Sequence, residues 1–231
     1  MTASELAALV RKLRPKFLEN LAPFELNDVL AAAHQRSFLA NSVATNQGQP
    51  ASHIYLVLAG GARSFVLTQA GQKLHLHWYP PGDVFGAMAL VKRSSTYIAS
   101  TETFADSRVL VWERDIIRNL AGRHPKLLDN ALLIASDYMN LAIATQVSLS
   151  SHTARQRLAL VILNLASGIG HEVSGGIELK VRNEELASAA NITTFTASRI
   201  ISEWERARMV RKSRGRVFIP SPERLLFEDV G

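Results

Sequence analysis

The stretch that most limits what this 231-residue chain can become runs from Asn183 to Ile219. Leu186, Ala187 and Ala190 recur at the steps that place apolar side chains on one helical face, and Ala197, Ile200, Ile201 and Trp204 repeat the pattern a few residues later. Two stripes so close in sequence can bury themselves against each other. Ala187 is small where steeply crossing helices would touch, and Asn191 in the connection tolerates a left-handed backbone. Thr193 or Thr194 can cap the second helix. That leaves Thr194, Phe195, Ser198 and Arg199 near its N-terminal end with no core to fill, where a recognition helix keeps its base-reading side chains. Met209–Lys212 and Val217–Ile219 then read as two short strands joined through Ser213, Arg214, Gly215 and Arg216, a hairpin with a basic tip.

An amphipathic helical hairpin inside some other domain would show the same helix pair, so charge has to separate the readings. The chain carries a formal net charge of +6. Residues 1–150 hold 14 Lys/Arg against 11 Asp/Glu and residues 151–231 hold 12 against 9, so each part nets +3 and total charge does not distinguish them. The local excess does. From Arg199 to Arg216 seven basic residues (Arg199, Arg206, Arg208, Arg211, Lys212, Arg214, Arg216) face only Glu203 and Glu205. Such an excess beside a hairpin suits phosphate contacts and makes double-stranded DNA the expected partner.

The absence of cysteine excludes disulfides, a thiolate nucleophile and a cysteine-held iron-sulfur cluster or zinc. His75 and His77 alternate with Leu74, Leu76 and Trp78, so both imidazoles point to one face of a strand. They could bind a metal, but the reading adopted is exposed polar residues on a half-buried strand. His34, His53, His124, His152 and His171 show no ligand spacing, and neither a metal site nor haem is expected. Phosphate-loop, nucleophile-elbow and His-Glu-x-x-His motifs are absent, and Asp83 in a Pro-Gly-Asp turn is better explained by turn chemistry than catalysis. The expectation is a non-enzyme. With no apolar run that reaches the roughly 18 residues of a spanning helix and no signal pattern, it is also expected to be soluble and cytoplasmic, without a membrane partner.

In chain order, residues 3–35 look helical, punctuated by Pro15 and Pro23. From Phe38 to Trp112 the rhythm changes to short strands between turns: Ile54–Leu58, Ala62–Leu67, Leu74–Tyr79, Tyr97–Phe104 and Arg108–Trp112. Their even spacing predicts a compact antiparallel roll. After His124-Pro125 no Gly or Pro occurs until past Ser150. Leu128, Leu132 (or Ala131), Ala135, Tyr138, Ala142, Thr145 and Leu149 recur there at three- and four-residue steps, a seam that two copies could share. About 25 residues at ~1.5 Å each span roughly 37 Å, more than one small roll covers. The alternative is a single helix lying across its own roll. Ser148–His152 is the expected hinge, followed by a helix over Ala154–Ala166, a loop from Gly168 to Gly176, a strand at Ile177–Val181 and a closing turn from Pro222 to Glu228. The fold class is α+β, divided into a roll (1–124), a dimerisation helix with hinge (125–151) and a winged helix-turn-helix (152–231).

This order of parts resembles the Crp/Fnr superfamily of bacterial transcription regulators over nearly the whole chain. Phe17–Leu21 and His53–Gly60 look like that family's leading helix and first roll strands. Pro81-Gly82-Asp83-Val84-Phe85-Gly86 is similar to its Pro-Gly-Asp-x-x-Gly turn, and Arg157–Ala166 matches the helix after its hinge. Thr193-Thr194-Phe195-Thr196-Ala197-Ser198-Arg199 stands where the family usually has Ser-Arg-Glu-Thr-Val-Ser-Arg. The resemblance implies a sensor roll, a homodimer and two recognition helices on a near-palindromic operator, with RNA polymerase as a further partner. It assigns DNA contacts to Thr193, Thr194, Phe195, Thr196, Ser198 and Arg199, and to Lys212, Arg214 and Arg216 in the wing.

Departures from the family concern the effector. Members that bind cyclic AMP hold it with a Gly-Glu-Leu-Ala-Leu loop and a following Arg-Ser or Arg-Thr pair. Here the loop reads Gly86-Ala87-Met88-Ala89-Leu90, without the carboxylate, and Ser95-Thr96 stands in place of the arginine pair, with Arg93 two residues upstream as a substitute if the loop shifts. Carried back along the long helix, the positions that would meet the adenine fall at Ala142 and Ile143, which offer no hydrogen bonds. Cyclic AMP is therefore not the expected ligand. The cofactor is unknown: either a different effector or a filled pocket, with a cyclic nucleotide bound through Arg93 as one alternative. Another is a ligand-binding module whose C-terminal hairpin serves protein contacts.

Overall fold

Thr2 opens the chain's first element. In the computed structural model, which describes residues 2–69, 71–91, 93 and 95–226, Thr2 caps helix α1 (Ala3–Leu13) in a reciprocal box with Glu5. Hydrogen bonds from the Thr2 backbone and hydroxyl hold the Glu5 carboxyl below its usual range. After a 3-10 turn at Lys16–Leu18, Pro23 starts α2 (Pro23–Ala31) at a position that needs no donor. The sequence pattern extends a helix to residue 35, but His34–Phe38 is strand β1. It pairs antiparallel along residues 107–111, and that long-range ladder overrides the local pattern.

Strands β2 (Val43–Thr45), β3 (His53–Ala59), β4 (Ala62–Leu67), β5 (Lys73–Tyr79), β6 (Val84–Phe85), β7 (Ser100–Thr103) and β8 (Ser107–Glu113) complete two four-stranded sheets, ordered β1-β8-β3-β6 and β2-β7-β4-β5. The strand expected from Tyr97 shrinks to Ser100–Thr103. Tyr97 instead ties loops together, its N–H donating to the Gln49 carbonyl and its hydroxyl bonding the His53 backbone. One core joins Phe17, Val29, Ile54, Leu56, Leu110 and Trp112. Trp112 is fully buried and its indole N–H donates to the Val29 carbonyl at 2.8 Å, so it satisfies its only donor.

Helix α3 (Arg114–Arg123) leads into α4 (Lys126–Ser151). Leu127, Asn130 and Ile134 face inward, and the Asn130 amide donates to the carbonyls of Phe17 and Glu19. Tyr138 lies on this inner side too. Its hydroxyl donates to the Val84 carbonyl at 3.3 Å, so it cannot belong to the expected seam. The expected hinge is also narrower. The hydroxyls of Ser150 and Ser151 bond back to the carbonyls of Gln146 and Val147, keeping the serines helical, and the chain breaks only at His152–Thr153.

Two compact units result, one reaching to Val66 and resuming at His77–Asn140, the other holding Leu67–Leu76 and the chain from Leu141. The division falls within α4. In the second unit Thr153 caps α5 (Ala154–Ile169) in a box with Gln156. This helix continues through Gly168, and the expected loop to Gly176 contains β9 (His171–Val173), which pairs with β10 (Gly176–Leu179). Helices α6 (Asn183–Ala189) and α7 (Thr194–Arg206) follow, then β11 (Arg211–Ser213) and β12 (Arg216–Ile219) in a sheet ordered β11-β12-β10-β9. A 3-10 turn spans Pro222–Leu226, while Phe227 and Glu228 of the expected closing turn lie outside the described residues.

Candidate nucleic-acid interface and the roll interior

Leu186, Ala187 and Ala190 are buried, as are Ala197, Ile200, Ile201 and Trp204, so the two apolar stripes do close on each other. Asn191 takes the left-handed conformation at φ 50°, and Thr193 caps α7 by accepting from the Thr196 N–H at 3.1 Å. This fixes the register of the helix. Thr194, Phe195 and Arg199 face outward, with Phe195 79% exposed and thus free of any packing duty. Thr196 and Ser198 are half-buried. The Thr196 hydroxyl meets that of Thr193 at 2.8 Å, and the Ser198 hydroxyl accepts from the Asn183 amide at 3.0 Å, which ties α7 to the start of α6. Arg199 donates to Glu203 Oε1 at 2.8 Å, while Arg155 of α5 pairs with Oε2 of the same carboxylate and lies over the Trp204 ring.

The wing is built on the antiparallel β11–β12 pair, stiffened where the Arg211 guanidinium covers the Phe218 ring at 4.1 Å. Gly215 turns it at φ 70°. Lys212, Arg214 and Arg216 are all exposed. Arg216 pairs with Glu178 at 2.9 Å, but Lys212 and Arg214 have no ion pair among the described residues. A cavity of about 410 Å³ opens between the wing and α6, lined by Arg182, Asn183, Glu205, Lys212, Arg214 and Arg216 among others. Two exposed cations without carboxylate partners, beside an outward helix row, form a surface suited to a polyanion.

The candidate effector residues of the roll form one loop. Gly86 is left-handed at φ 81°, and a Cβ there would lie 2.6 Å from the His53 carbonyl, so only glycine fits. Ala87, Met88, Ala89 and Leu90 make a 3-10 turn with Ala89 fully buried, and Ser95 donates to the Met88 carbonyl at 2.7 Å. Thr96 bridges to Pro50. Arg114, which the sequence reading does not single out, holds this loop from the first turn of α3. Its guanidinium donates to the carbonyls of Val91 and Arg93 at 2.7 Å, to Ala51 at 3.2 Å and to the Ser95 hydroxyl at 3.0 Å. Arg93 thus serves through its carbonyl, and its side chain is exposed. Ala142 and Ile143 belong to the second unit and are exposed there.

A second core cluster in the roll is aromatic. Tyr55 stacks on Phe85 at 4.7 Å, Phe85 meets Tyr79 at 5.5 Å, and His77 lies 4.7 and 4.8 Å from Tyr79 and Tyr138. Burial pushes the Tyr55 hydroxyl up to about 12 and raises Tyr79 and Tyr138 as well. Arg63 and Glu102 form a buried pair at 2.9 Å nearby on β4 and β7. The histidines of β5 therefore do not face solvent as expected. His75 is buried, with its backbone N–H donating to the Ser188 hydroxyl at 3.1 Å, and His77 is partly buried against Tyr79 and Tyr138, while Leu76 between them is exposed. No cluster of three His, Cys, Asp or Glu fit for a metal occurs among the described residues.

Residues 35–124 match the cyclic nucleotide-binding domain and residues 156–226 match the Crp-like helix-turn-helix domain. Over 211 residues the chain is 28% identical to the cyclic AMP receptor protein of Thermus thermophilus, covering 91% of this chain and 94% of that one. The chain is a Crp/Fnr-family transcription regulator. As such it binds DNA through the helix-turn-helix and is not an enzyme. The regulator is also 27% identical to the transcriptional regulator SdrP of the same organism, over 78% of this chain and 87% of the relative. Its fold is that of FixK2 from Bradyrhizobium japonicum, with a TM-score of 0.74 at 20% identity, covering 86% of this chain and 98% of the other.

Several contributors to these sites escape sequence reading: Arg114, the Arg63–Glu102 pair, and Arg155, Asn183 and Glu203 behind the recognition row. Most of these partners are distant in sequence, Arg63 and Glu102 being 39 residues apart and Arg155 and Glu203 48, whereas Glu203 and Arg199 lie one helical turn apart. Asn183 and Glu203 carry a weak local signal, since both fall on the helix pair at the edge of its apolar stripes.

Proposed function

We propose that this regulator acts as a cytoplasmic homodimer on a near-palindromic operator, with RNA polymerase as a further partner, and that its roll does not take cyclic AMP in the manner of the family's cyclic-AMP-binding members. The outward stripe of α4 carries the first part. Leu128, Leu132, Ala135, Met139 and Ala142 alternate by four and three residues and are all exposed, with Leu132 at 68% and Met139 at 63%. That is the spacing of a helix seam awaiting a like partner. Met139 takes the place that the sequence reading gives to Tyr138, because Tyr138 is engaged by the roll. By length and composition α4 is also apolar enough to cross a membrane. Its opposite face, however, packs Leu127 and Ile134 into a protein core, which favours a paired helix. A two-fold pair of helix-turn-helix units reads half-sites centred about one turn of DNA, ~34 Å, apart. A sedimentation measurement is expected to return a dimer that Leu132→Asp with Met139→Asp converts to a folded monomer. A monomer at concentrations that saturate DNA would refute the seam.

For the roll, the supporting observation is that the buried Arg63 and the half-buried Arg114 are already engaged. Arg63 meets Glu102, and Arg114 meets loop carbonyls at the very segment where a phosphate would need a cation. An uncompensated phosphate in such an interior costs several kcal/mol. Calorimetry with cyclic AMP is expected to show no heat of binding, and saturable binding abolished by Arg93→Ala would establish the alternative.

A further inference from the structure

Glu203 is half-buried behind the outward row of α7, yet it holds Arg199, the residue best placed to read a base. Resting on the DNA-binding reading above, we propose that Glu203 is a specificity-determining positioning residue, which aims Arg199 and is itself aimed by Arg155. The geometry is a chain of three. Arg155 extends from α5, lies over the buried Trp204 ring and grips Glu203 Oε2. Glu203 Oε1 accepts from Arg199 Nη1 at 2.8 Å. The carboxylate is only 26% exposed and is held from the protein side, whereas the Arg199 side chain is 57% exposed.

Three consequences follow from the chemistry of this arrangement. The guanidinium has five donors in a rigid fork, and with Nη1 engaged the Nε–Nη2 edge remains for a two-point contact with a guanine. A long exposed arginine otherwise samples many rotamers, so fixing it beforehand favours the one geometry that distinguishes guanine from other bases. Finally, Arg155 cancels the charge of Glu203. The trio keeps one net positive charge and does not repel the duplex.

The test uses the full-length protein and the half-site it selects from a random-sequence pool, compared with the same site changed at the base that Arg199→Ala stops distinguishing. Glu203→Gln, nearly isosteric, is expected to lower the ratio of the two affinities by about five- to tenfold while binding to unrelated duplex holds or rises, since a negative charge is lost. Arg155→Lys, which keeps the charge but not the fork, is expected to lower the same ratio by a smaller factor. Thermal melting of both variants checks that they fold. If Glu203→Gln leaves the ratio intact while Arg199→Ala collapses it, the clamp is refuted and the DNA reading stands. A wild-type protein that selects no sequence overturns both, and an Arg199→Ala that weakens all duplexes equally makes Arg199 a phosphate contact and removes the clamp's purpose.

Discussion

In the roll, Arg63 and Arg114 direct their donors into the protein, to Glu102 and to the carbonyls of Ala51, Val91 and Arg93, whereas in the winged helix-turn-helix Lys212 and Arg214 present theirs to solvent. The same residue types therefore do opposite work in the two units. A buried cation such as Arg63 must be saturated internally or its desolvation goes uncompensated, and the half-buried Arg114 is satisfied by loop oxygens. An exposed one can remain unpaired at little cost, and it stays available to displace counterions from DNA. In this protein a count of basic residues says little about function until burial is known.

The strongest challenge to that contrast is Arg63→Met, which takes the paired cation away from the buried Glu102 carboxylate. Chemical denaturation is expected to show a loss of about 3–5 kcal/mol, with Arg63→Met and Glu102→Leu together recovering most of it. A single variant as stable as the wild type would mean that water reaches the pair. Next in size, Arg199→Ala should remove roughly 1–3 kcal/mol of discrimination at one base pair. Phe195 can pack on a thymine methyl where a glutamate would accept from cytosine, so the selected operator should differ from the common family half-site at that base. Recovery of the ordinary half-site would contradict this. Thr193→Ala removes the α7 cap and is expected to cost about 1 kcal/mol in thermal or chemical unfolding. Lys212→Ala and Arg214→Ala should each reduce the slope of log affinity against log salt by about 0.9, equally for all sequences, in titrations across a salt series.

The smallest effect returns to the roll. Burial pushes the Tyr55 hydroxyl up to about 12, so the folded state keeps its proton at pH values where the unfolded chain, near 10, has released it. The stabilisation is therefore complete below about pH 10 and declines as pH rises toward 12. Tyr55→Phe should flatten that part of the stability profile, and an unchanged profile would show that the hydroxyl titrates freely.

Much of this architecture can be read from periodicity. The helix pair, its left-handed Asn191, the basic wing and the run of short strands all carry local signals, and the structure contains each of them. The misplaced features depend on partners that local pattern does not encode. His34–Phe38 becomes a strand because residues 107–111 lie beside it, and Tyr138 leaves the seam because Val84 and the rings of His77 and Tyr79 receive it. A phase error of one residue, from Met139 to Tyr138, turns a helix stripe by about 100°. In the candidate site, the outward side chains of α7 follow from the spacing of the buried ones. The clamp behind Arg199 does not, since Arg155 belongs to another helix.

The exposed stripe of α4 also shapes how such a regulator would respond to its own supply. Under the proposed pairing along Leu132 and Met139 the DNA-competent species would be second order in the chain, so that well below the dimer dissociation constant a twofold rise in synthesis would yield about fourfold more paired protein. Promoters read by this protein would then register a small relative change in its supply as about twice that relative change in the paired species, through mass action at one helix face.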